Sequence, residues 1–191
     1  MNMDSQFPNI SVMLYGCGNM GGALLKGWLV NDLDPKNIWV FDPNPSDWLI
    51  SMSTRGIRLN DTDCQKPDVC ILAVKPRQID QVVGSLNIKN LNDTLLISVA
   101  AGVKIATLES LIGSRQSIVR VMPNTPVLIN KGVSCLVKND QAKQSQVLLA
   151  EKMFSVVGRT FTLKKESEMD AVTAISGSGP AYVFYFIEAM I

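Results

Sequence analysis

Residues 11–30, SVMLYGCGNMGGALLKGWLV, contain the pattern that decides the fold. The first five residues form a short apolar run that predicts a strand, and residues 19–30 place Met20, Leu24 and Trp28 on one helical stripe. Between the two lies the pattern G-x-G-x-x-G. A strand, a glycine turn and a helix in this order predict the first βαβ unit of a parallel sheet.

The glycine turn has the spacing of a dinucleotide-binding loop. Its first glycine permits the tight turn, its second lets a pyrophosphate approach the backbone, and its third allows close packing of the helix. The helix N-terminus adds N–H groups and a positive dipole. The alternative is a turn that is only structural. We expect a dinucleotide pyrophosphate to bind at Gly16, Cys17, Gly18, Asn19, Met20 and Gly21.

Short strands alternate with helical segments along the rest of the chain, which is typical of a doubly wound sheet. Strands are predicted at residues 37–41, 56–59, 68–74, 94–99, 117–121, 133–137 and 159–163, and helices at 47–55, 76–84, 105–111 and 141–156. The prediction is an α/β fold with a Rossmann-type, mainly parallel sheet over residues 1–164. Residues 165–191 are predicted as the start of an all-helical domain, with two helices separated by SGSGP.

Composition narrows the class of protein. The chain has 191 residues, 47% hydrophobic, with 18 Lys+Arg against 17 Asp+Glu, so a disordered tail is excluded and nucleic-acid binding is not expected. No secretory signal opens the sequence, and the longest apolar runs are far below the roughly 18 residues that span a bilayer. We expect a soluble, cytoplasmic protein with no membrane partner. Its cysteines are expected as free thiols, namely Cys17, Cys64, Cys70 and Cys135.

Histidine is absent. This excludes a Ser/His/Asp triad, a Cys/His dyad and a His-ligated zinc site, and we expect no metal. The chemistry must come from carboxylates, Lys, hydroxyls, backbone groups or a cofactor.

Asp42 ends the second predicted strand, about 20 residues after the glycine turn, where an acidic side chain can accept from ribose hydroxyls. The alternative is an Asp that initiates a turn before Pro43. A carboxylate facing the ribose disfavours a 2′-phosphate, yet Asn44 and Ser46 can donate to one. The choice between NAD and NADP stays open at this point.

Three further motifs follow predicted strands or helices. Ala73, Val74, Lys75 and Pro76 leave a buried strand at its carboxyl end, and Lys75 lies either over the cofactor or in solvent. The stretch MPNTP fixes the amide of Asn124 and the hydroxyl of Thr125 beside a nicotinamide or small substrate, or is a rigid turn. SGSGP, with Ser176 and Gly177, offers backbone donors for a carboxylate, or is a hinge.

Together these motifs resemble those of the pyrroline-5-carboxylate reductase family. The matching stretches are GCGNMG at residues 16–21, LAVKP at 72–76, SVAAGV at 98–103, RVMPNTP at 120–126 and SGSGPAYVF at 176–184. They follow the family's order and spacing over nearly the whole chain. The resemblance implies reduction of 1-pyrroline-5-carboxylate to L-proline by hydride transfer from NADPH or NADH, the last step of proline synthesis.

The resemblance also implies residue roles. Residues 73–76, with Ala100 and Ala101, would line the nicotinamide half, and Asn124 and Thr125 would border the meeting point of cofactor and substrate. Ser176 and Gly177 would lie in the substrate region and lead into a helical dimerisation domain, so a homo-oligomer is expected. A cyclic imine is readily protonated near neutral pH, which agrees with the absence of histidine.

One departure from the family concerns the end of the sequence. Family members continue through further helices whose loop supplies the substrate carboxylate site, so we expect a truncated sequence after Ile191 and name no catalytic residue. Two alternatives stay open: a nucleotide-binding fragment without turnover, and a related imine or β-hydroxyacid reductase. The last segment, residues 181–191, is apolar almost all round and is expected to self-associate.

Overall fold

The computed structural model describes residue 7 and residues 9–63, 66–86, 91 and 93–191. In this part of the chain an eight-stranded sheet has the order β3-β2-β1-β4-β5-β6-β7-β8. Adjacent strands are parallel except β6 and β7, which are antiparallel. The strands are β1 (Val12–Tyr15), β2 (Ile38–Phe41), β3 (Arg58–Leu59), β4 (Val69–Leu72), β5 (Leu95–Ser98), β6 (Ile118–Met122), β7 (Gly132–Lys138) and β8 (Gly158–Thr162).

Helices connect most of these strands. The connecting helices are α1 (Asn19–Val30), α2 (Asp47–Ser53), α3 (Ile79–Ser85), α4 (Ile105–Ile112) and α5 (Gln144–Ser155). Two more helices, α6 (Met169–Val172) and α7 (Gly179–Glu188), follow β8. Short 3₁₀ turns cover Pro35–Asn37, Pro76–Gln78, Thr125–Ile129 and Glu166–Glu168, and a π-helical turn covers Thr173–Gly177.

The sheet is covered on both faces, as its apolar strands require. One layer packs α1, α2 and α5 on the sheet, and it contains Trp28, whose indole N–H donates to the Met153 carbonyl at 2.8 Å. The other layer packs α3 and α4 on the opposite face and includes Met169 of α6. The predicted α/β, doubly wound, mainly parallel fold is confirmed.

The glycine-rich stretch near the C-terminus differs from the prediction. SGSGP was expected to separate two helices, but the chain stays helical because the Ser178 N–H donates to the Thr173 carbonyl at 2.8 Å, a π-type bond. Pro180 lies in the first turn of α7, where its missing N–H costs nothing. The stretch therefore contains one widened helical turn instead of a break between two helices. The predicted boundary near Lys164 stays a prediction.

The prediction that the cysteines are free thiols is tested for part of them. Cys17 and Cys135 are free thiols, and Cys70 is buried in β4. Cys64 lies outside the described residues.

Candidate functional site

The loops that carry the sequence-predicted site residues meet at one edge of the sheet. β1, β2, β4, β5 and β6 run parallel, so their carboxyl ends share this edge. The Gly16 N–H donates to the Phe41 carbonyl at 2.8 Å, and the Ala73 N–H donates to the Tyr15 carbonyl at 2.8 Å. The glycine turn is thus bonded to the end of β2 and flanked by the loop after β4, in the position where doubly wound sheets bind ligands.

The three glycines of the turn have different surroundings. Gly16 has φ +86°, and a Cβ built there would be 2.6 Å from the Ala73 carbonyl oxygen. A Cβ on Gly21 would overlap the Gly16 carbonyl oxygen. A Cβ on Gly18 would meet no atom within 4 Å among the described residues. The first and third glycines are therefore required by packing, whereas the second faces open space.

This open space adjoins the N-terminus of α1. Gly18 is the N-cap residue, and no side chain of the described residues caps the helix there. The first N–H groups of a helix have no intrahelical acceptor, so the start of α1 can offer N–H donors to an anion at this edge of the sheet. The residues present fit a dinucleotide pyrophosphate: the cradle is formed by backbone, and a side chain at Gly18 would fill it.

Asp42 lies against the glycine turn. Its Oδ2 accepts from the Cys17 N–H at 2.7 Å, and its Oδ1 accepts from the Asn44 N–H at 2.9 Å. The second bond is the Asx turn of the alternative interpretation, so the carboxylate makes a turn and also faces the loop. Asn60 holds the Asp42 backbone from the neighbouring chain segment through bonds of 2.9 and 2.8 Å.

The Cys17 thiol is not a nucleophile at neutral pH. Burial, and then the negative charge of Asp42, raise its pKa to about 11, while Lys26 lowers the pKa by a smaller effect. The thiol is therefore neutral beside the turn.

The loops expected beside the nicotinamide lie next to each other. The Val99 N–H, after β5, donates to the Leu72 carbonyl at the end of β4 at 3.1 Å. Ala100 is buried, whereas Ala101, Lys75 and Pro76 are exposed at the edge. Residues 73–76 and 99–104 therefore form adjacent walls, with the Lys75 side chain exposed to solvent.

The predicted substrate residues come together across a long sequence distance. The Asn124 side-chain amide donates to the Ser176 hydroxyl at 3.2 Å, and its Oδ1 accepts from the Val133 N–H at 2.8 Å. Gly177 packs on Met122, because a Cβ on Gly177 would be 2.7 Å from the Met122 Cε. The MPNTP loop thus contacts the π-helical turn directly, and exposed Thr125 begins the adjacent 3₁₀ turn.

Three residues near this edge were missed by sequence reasoning. Asn60 holds Asp42, and Glu166 contacts both Arg120 and the first residue of α4. An arginine in the otherwise apolar strand SIVRV was an available signal, because a buried arginine requires a carboxylate partner. No comparable signal marked Asn60.

Among the residues that the structure describes, no helix combines the length and the apolarity needed to cross a membrane. Within the same part of the chain, no three His, Cys, Asp or Glu side chains cluster as they would around a metal ion.

Comparison with known proteins gives consistent matches. The family model for "NADP oxidoreductase coenzyme F420-dependent" matches residues 10–102, and that for "Pyrroline-5-carboxylate reductase dimerisation" matches residues 166–191. The pyrroline-5-carboxylate reductase of Haemophilus influenzae is 38% identical over 181 residues, which are 94% of this chain and 67% of that protein.

Solved structures agree with these matches. A pyrroline-5-carboxylate reductase from Coxiella burnetii superposes with a TM-score of 0.83 at 34% identity, covering 94% of this chain and 68% of that one. The Plasmodium falciparum pyrroline carboxylate reductase, solved with NADP bound, has a TM-score of 0.80 at 32% identity, covering 95% and 67% of the two chains.

Proposed function

Because the chain belongs to the pyrroline-5-carboxylate reductase family, we propose that it reduces 1-pyrroline-5-carboxylate to L-proline with NADH or NADPH. The observation that carries the proposal is the open space beside Gly18, where two packed glycines and a helix N-terminus leave a cradle for a pyrophosphate. The dinucleotide, when bound, supplies the hydride. The residues of the chain bind it, orient it and exclude water.

Each wall of the edge has its own proposed role. The N–H groups at the start of α1 donate to the pyrophosphate, and Asp42 accepts from the adenosine ribose. Residues 73–76, with Ala100 and Ala101, border the nicotinamide half. Asn124, Thr125, Ser176 and Gly177 border the substrate, on the side where the Asn124 amide contacts Ser176.

The proton that the imine needs does not require a histidine. The substrate nitrogen is basic enough to be protonated from water near neutral pH, so the protein has to position the iminium and not to ionise it. The described edge offers the hydroxyls of Thr125 and Ser176 as hydrogen-bonding groups.

We infer that NADH is the preferred coenzyme. The Asp42 carboxylate is fixed against the glycine turn by the Cys17 and Asn44 N–H groups, and residues 42–47, DPNPSD, contain no Lys or Arg. A carboxylate at this place accepts from a ribose 2′-hydroxyl and repels a 2′-phosphate.

The chain is proposed to act as a homo-oligomer through α7. The aromatic side chains of this helix are exposed, with Phe184 66% and Tyr185 77% accessible. Contiguous exposed apolar surface of this kind marks an association site. Light scattering at micromolar concentration is expected to show dimers or larger species, and a clean monomer would contradict the proposal. The cytoplasmic location stays a prediction.

The activity is tested by NAD(P)H oxidation on addition of 1-pyrroline-5-carboxylate. The role of the open space beside Gly18 in coenzyme binding is tested by the substitution Gly18→Val. This change is expected to weaken NAD(P)H binding at least tenfold without lowering the melting temperature, because the new side chain enters open space. Gly84→Val is the control, since Gly84 also has open space but lies on α3 away from the edge. Cofactor binding without turnover would favour the alternative, a nucleotide-binding fragment. An equal loss of NAD(P)H affinity in the two variants would refute the proposal that the space beside Gly18 holds the pyrophosphate.

A further inference from the structure

The Glu166 carboxylate connects its own segment to α4 and to β6, next to the 99–104 loop. Glu166 begins the turn that follows β8, and its Oε1 accepts from the Ile105 N–H at 2.9 Å and from Arg120 Nη1 at 2.7 Å. The Arg120 side chain is only 4% exposed, and that of Glu166 is 28% exposed. The pair is therefore largely removed from water.

The two partners of Glu166 belong to the two loops that the proposed function uses. Ile105 is the first residue of α4, and residues 99–104 immediately before it contain Ala100 and Ala101. Lys104, the N-cap residue, gives no side-chain cap, so the Glu166 carboxylate caps α4 from a distant part of the chain. A carboxylate at this end of a helix also interacts favourably with its dipole.

Arg120 connects the same carboxylate to the substrate side. It lies in β6 opposite Ser98 of β5, and the MPNTP loop begins two residues later. A displacement of Glu166 would therefore remove the cap of α4 at the end of the 99–104 loop. It would also remove the acceptor of Arg120, which lies in the strand that leads to Asn124. Both loops are tied to the first turn of the C-terminal helical segment.

We propose that Glu166 is a positioning residue that fixes the 99–104 loop against β6, and so holds the nicotinamide ring in register with the substrate. This inference rests on the proposed function, which places the nicotinamide beside Ala100 and Ala101. Buried ion pairs contribute little net stability compared with apolar packing, so specifying one loop geometry is the effect to test.

The test separates the two halves of the coenzyme. Glu166→Gln keeps an oxygen acceptor for the Ile105 N–H and removes the charge that holds Arg120. We measure the affinity of the full chain for the coenzyme that the wild type binds more tightly, and for the matching nicotinamide-free probe, ADP-ribose or its 2′-phosphate. The affinity for the probe is expected to change less than twofold, whereas coenzyme affinity and kcat fall about tenfold, since small misplacement of reacting groups is costly.

Two further variants keep the result interpretable. Arg120→Met combined with Glu166→Met removes the pair without leaving a buried charge alone, and it should show the same selective loss. Thr94→Val is the control for general destabilisation: Thr94 is buried, and its hydroxyl donates to the Pro67 carbonyl at 2.6 Å at the amino end of β5, away from the edge. It is expected to lower stability and to leave the ratio of coenzyme to probe affinity unchanged.

Each outcome has a distinct meaning. An unchanged ratio in both Glu166 variants would overturn the inference, as would an equal change of the ratio in Thr94→Val. A wild-type chain that binds neither NADH nor NADPH would refute the proposed function instead.

Discussion

Replacing Asp42 with Asn tests the coenzyme preference most directly. The Asn side chain has nearly the same size, so its oxygen can still accept from Cys17 or Asn44, whose N–H groups bond the carboxylate at 2.7 and 2.9 Å. The negative charge is lost. We expect the preference to move from NADH toward NADPH.

The magnitude follows from the position of the carboxylate. A ribose lying against the end of β2 would bring a 2′-phosphate, with a charge of about −2, within roughly 5 Å of Asp42. The phosphate and the carboxylate would then repel each other by about 1.5–3 kcal/mol at an effective dielectric of about 40–80. Removing the charge should therefore tighten NADPH binding by about 10- to 100-fold. NADH should bind about tenfold more weakly, because a hydrogen bond to a charged acceptor is replaced by a neutral one.

The assay is the ratio of the two dissociation constants, measured from nicotinamide fluorescence or calorimetry. Raising the ionic strength should reduce the difference between the NADH and NADPH dissociation constants of the wild type, because salt screens exposed charges. Asp140→Asn is the matched control: Asp140 is exposed after β7, at the opposite edge of the sheet, and its removal changes the net charge equally. An unchanged ratio in Asp42→Asn, or an equal shift in Asp140→Asn, would refute the reasoning.

Three other experiments, two with substitutions and one with a thiol reagent, test the packing around the glycine turn and α1. Gly21→Ala should lower the free energy of unfolding by about 2 kcal/mol or more in urea titration, because its Cβ would overlap the Gly16 carbonyl oxygen; a native-like midpoint would contradict this. Trp28→Phe should cost about 2–4 kcal/mol in the same assay, since it opens a cavity and leaves the Met153 carbonyl without its 2.8 Å bond. Cys17 should react with iodoacetamide at pH 8 about 100-fold more slowly than in the urea-unfolded chain, because a pKa of about 11 leaves very little thiolate; equal rates by mass spectrometry would be inconsistent with its burial.

The glycine turn and the sheet were predictable because their signals are local. A G-x-G-x-x-G spacing places three glycines within one turn, and the order of apolar runs and helical segments fixes which strand ends share an edge. The structure adds what the pattern does not contain: Gly16 and Gly21 are required by contact with Ala73 and with each other, whereas Gly18 is not. The same spacing therefore combines packing positions with an open one.

The SGSGP stretch shows where local rules fail. Glycine and proline together predict a helix break, but the decisive bond is that of the Ser178 N–H with the Thr173 carbonyl, which closes a wider helical turn. That turn is held by tertiary contacts, since Gly177 packs on Met122 and Ser176 accepts from Asn124. Propensity describes the unpacked segment, and packing on the MPNTP loop decides its conformation.

The Glu166 contact shows a further limit and a remedy. Its partner Arg120 is 46 residues away, so neither periodicity nor spacing could pair them. A charged residue inside an apolar strand nevertheless indicates a long-range contact, because a buried guanidinium needs a hydrogen-bond acceptor. That acceptor has to come from another segment that packs on the sheet. Only the segment after β8 satisfies this requirement in the described chain, through Glu166. A polar residue that violates the apolar pattern of a buried strand is therefore itself a long-range signal, and here it leads from β6 to the first turn of the helical segment and to the cap of α4.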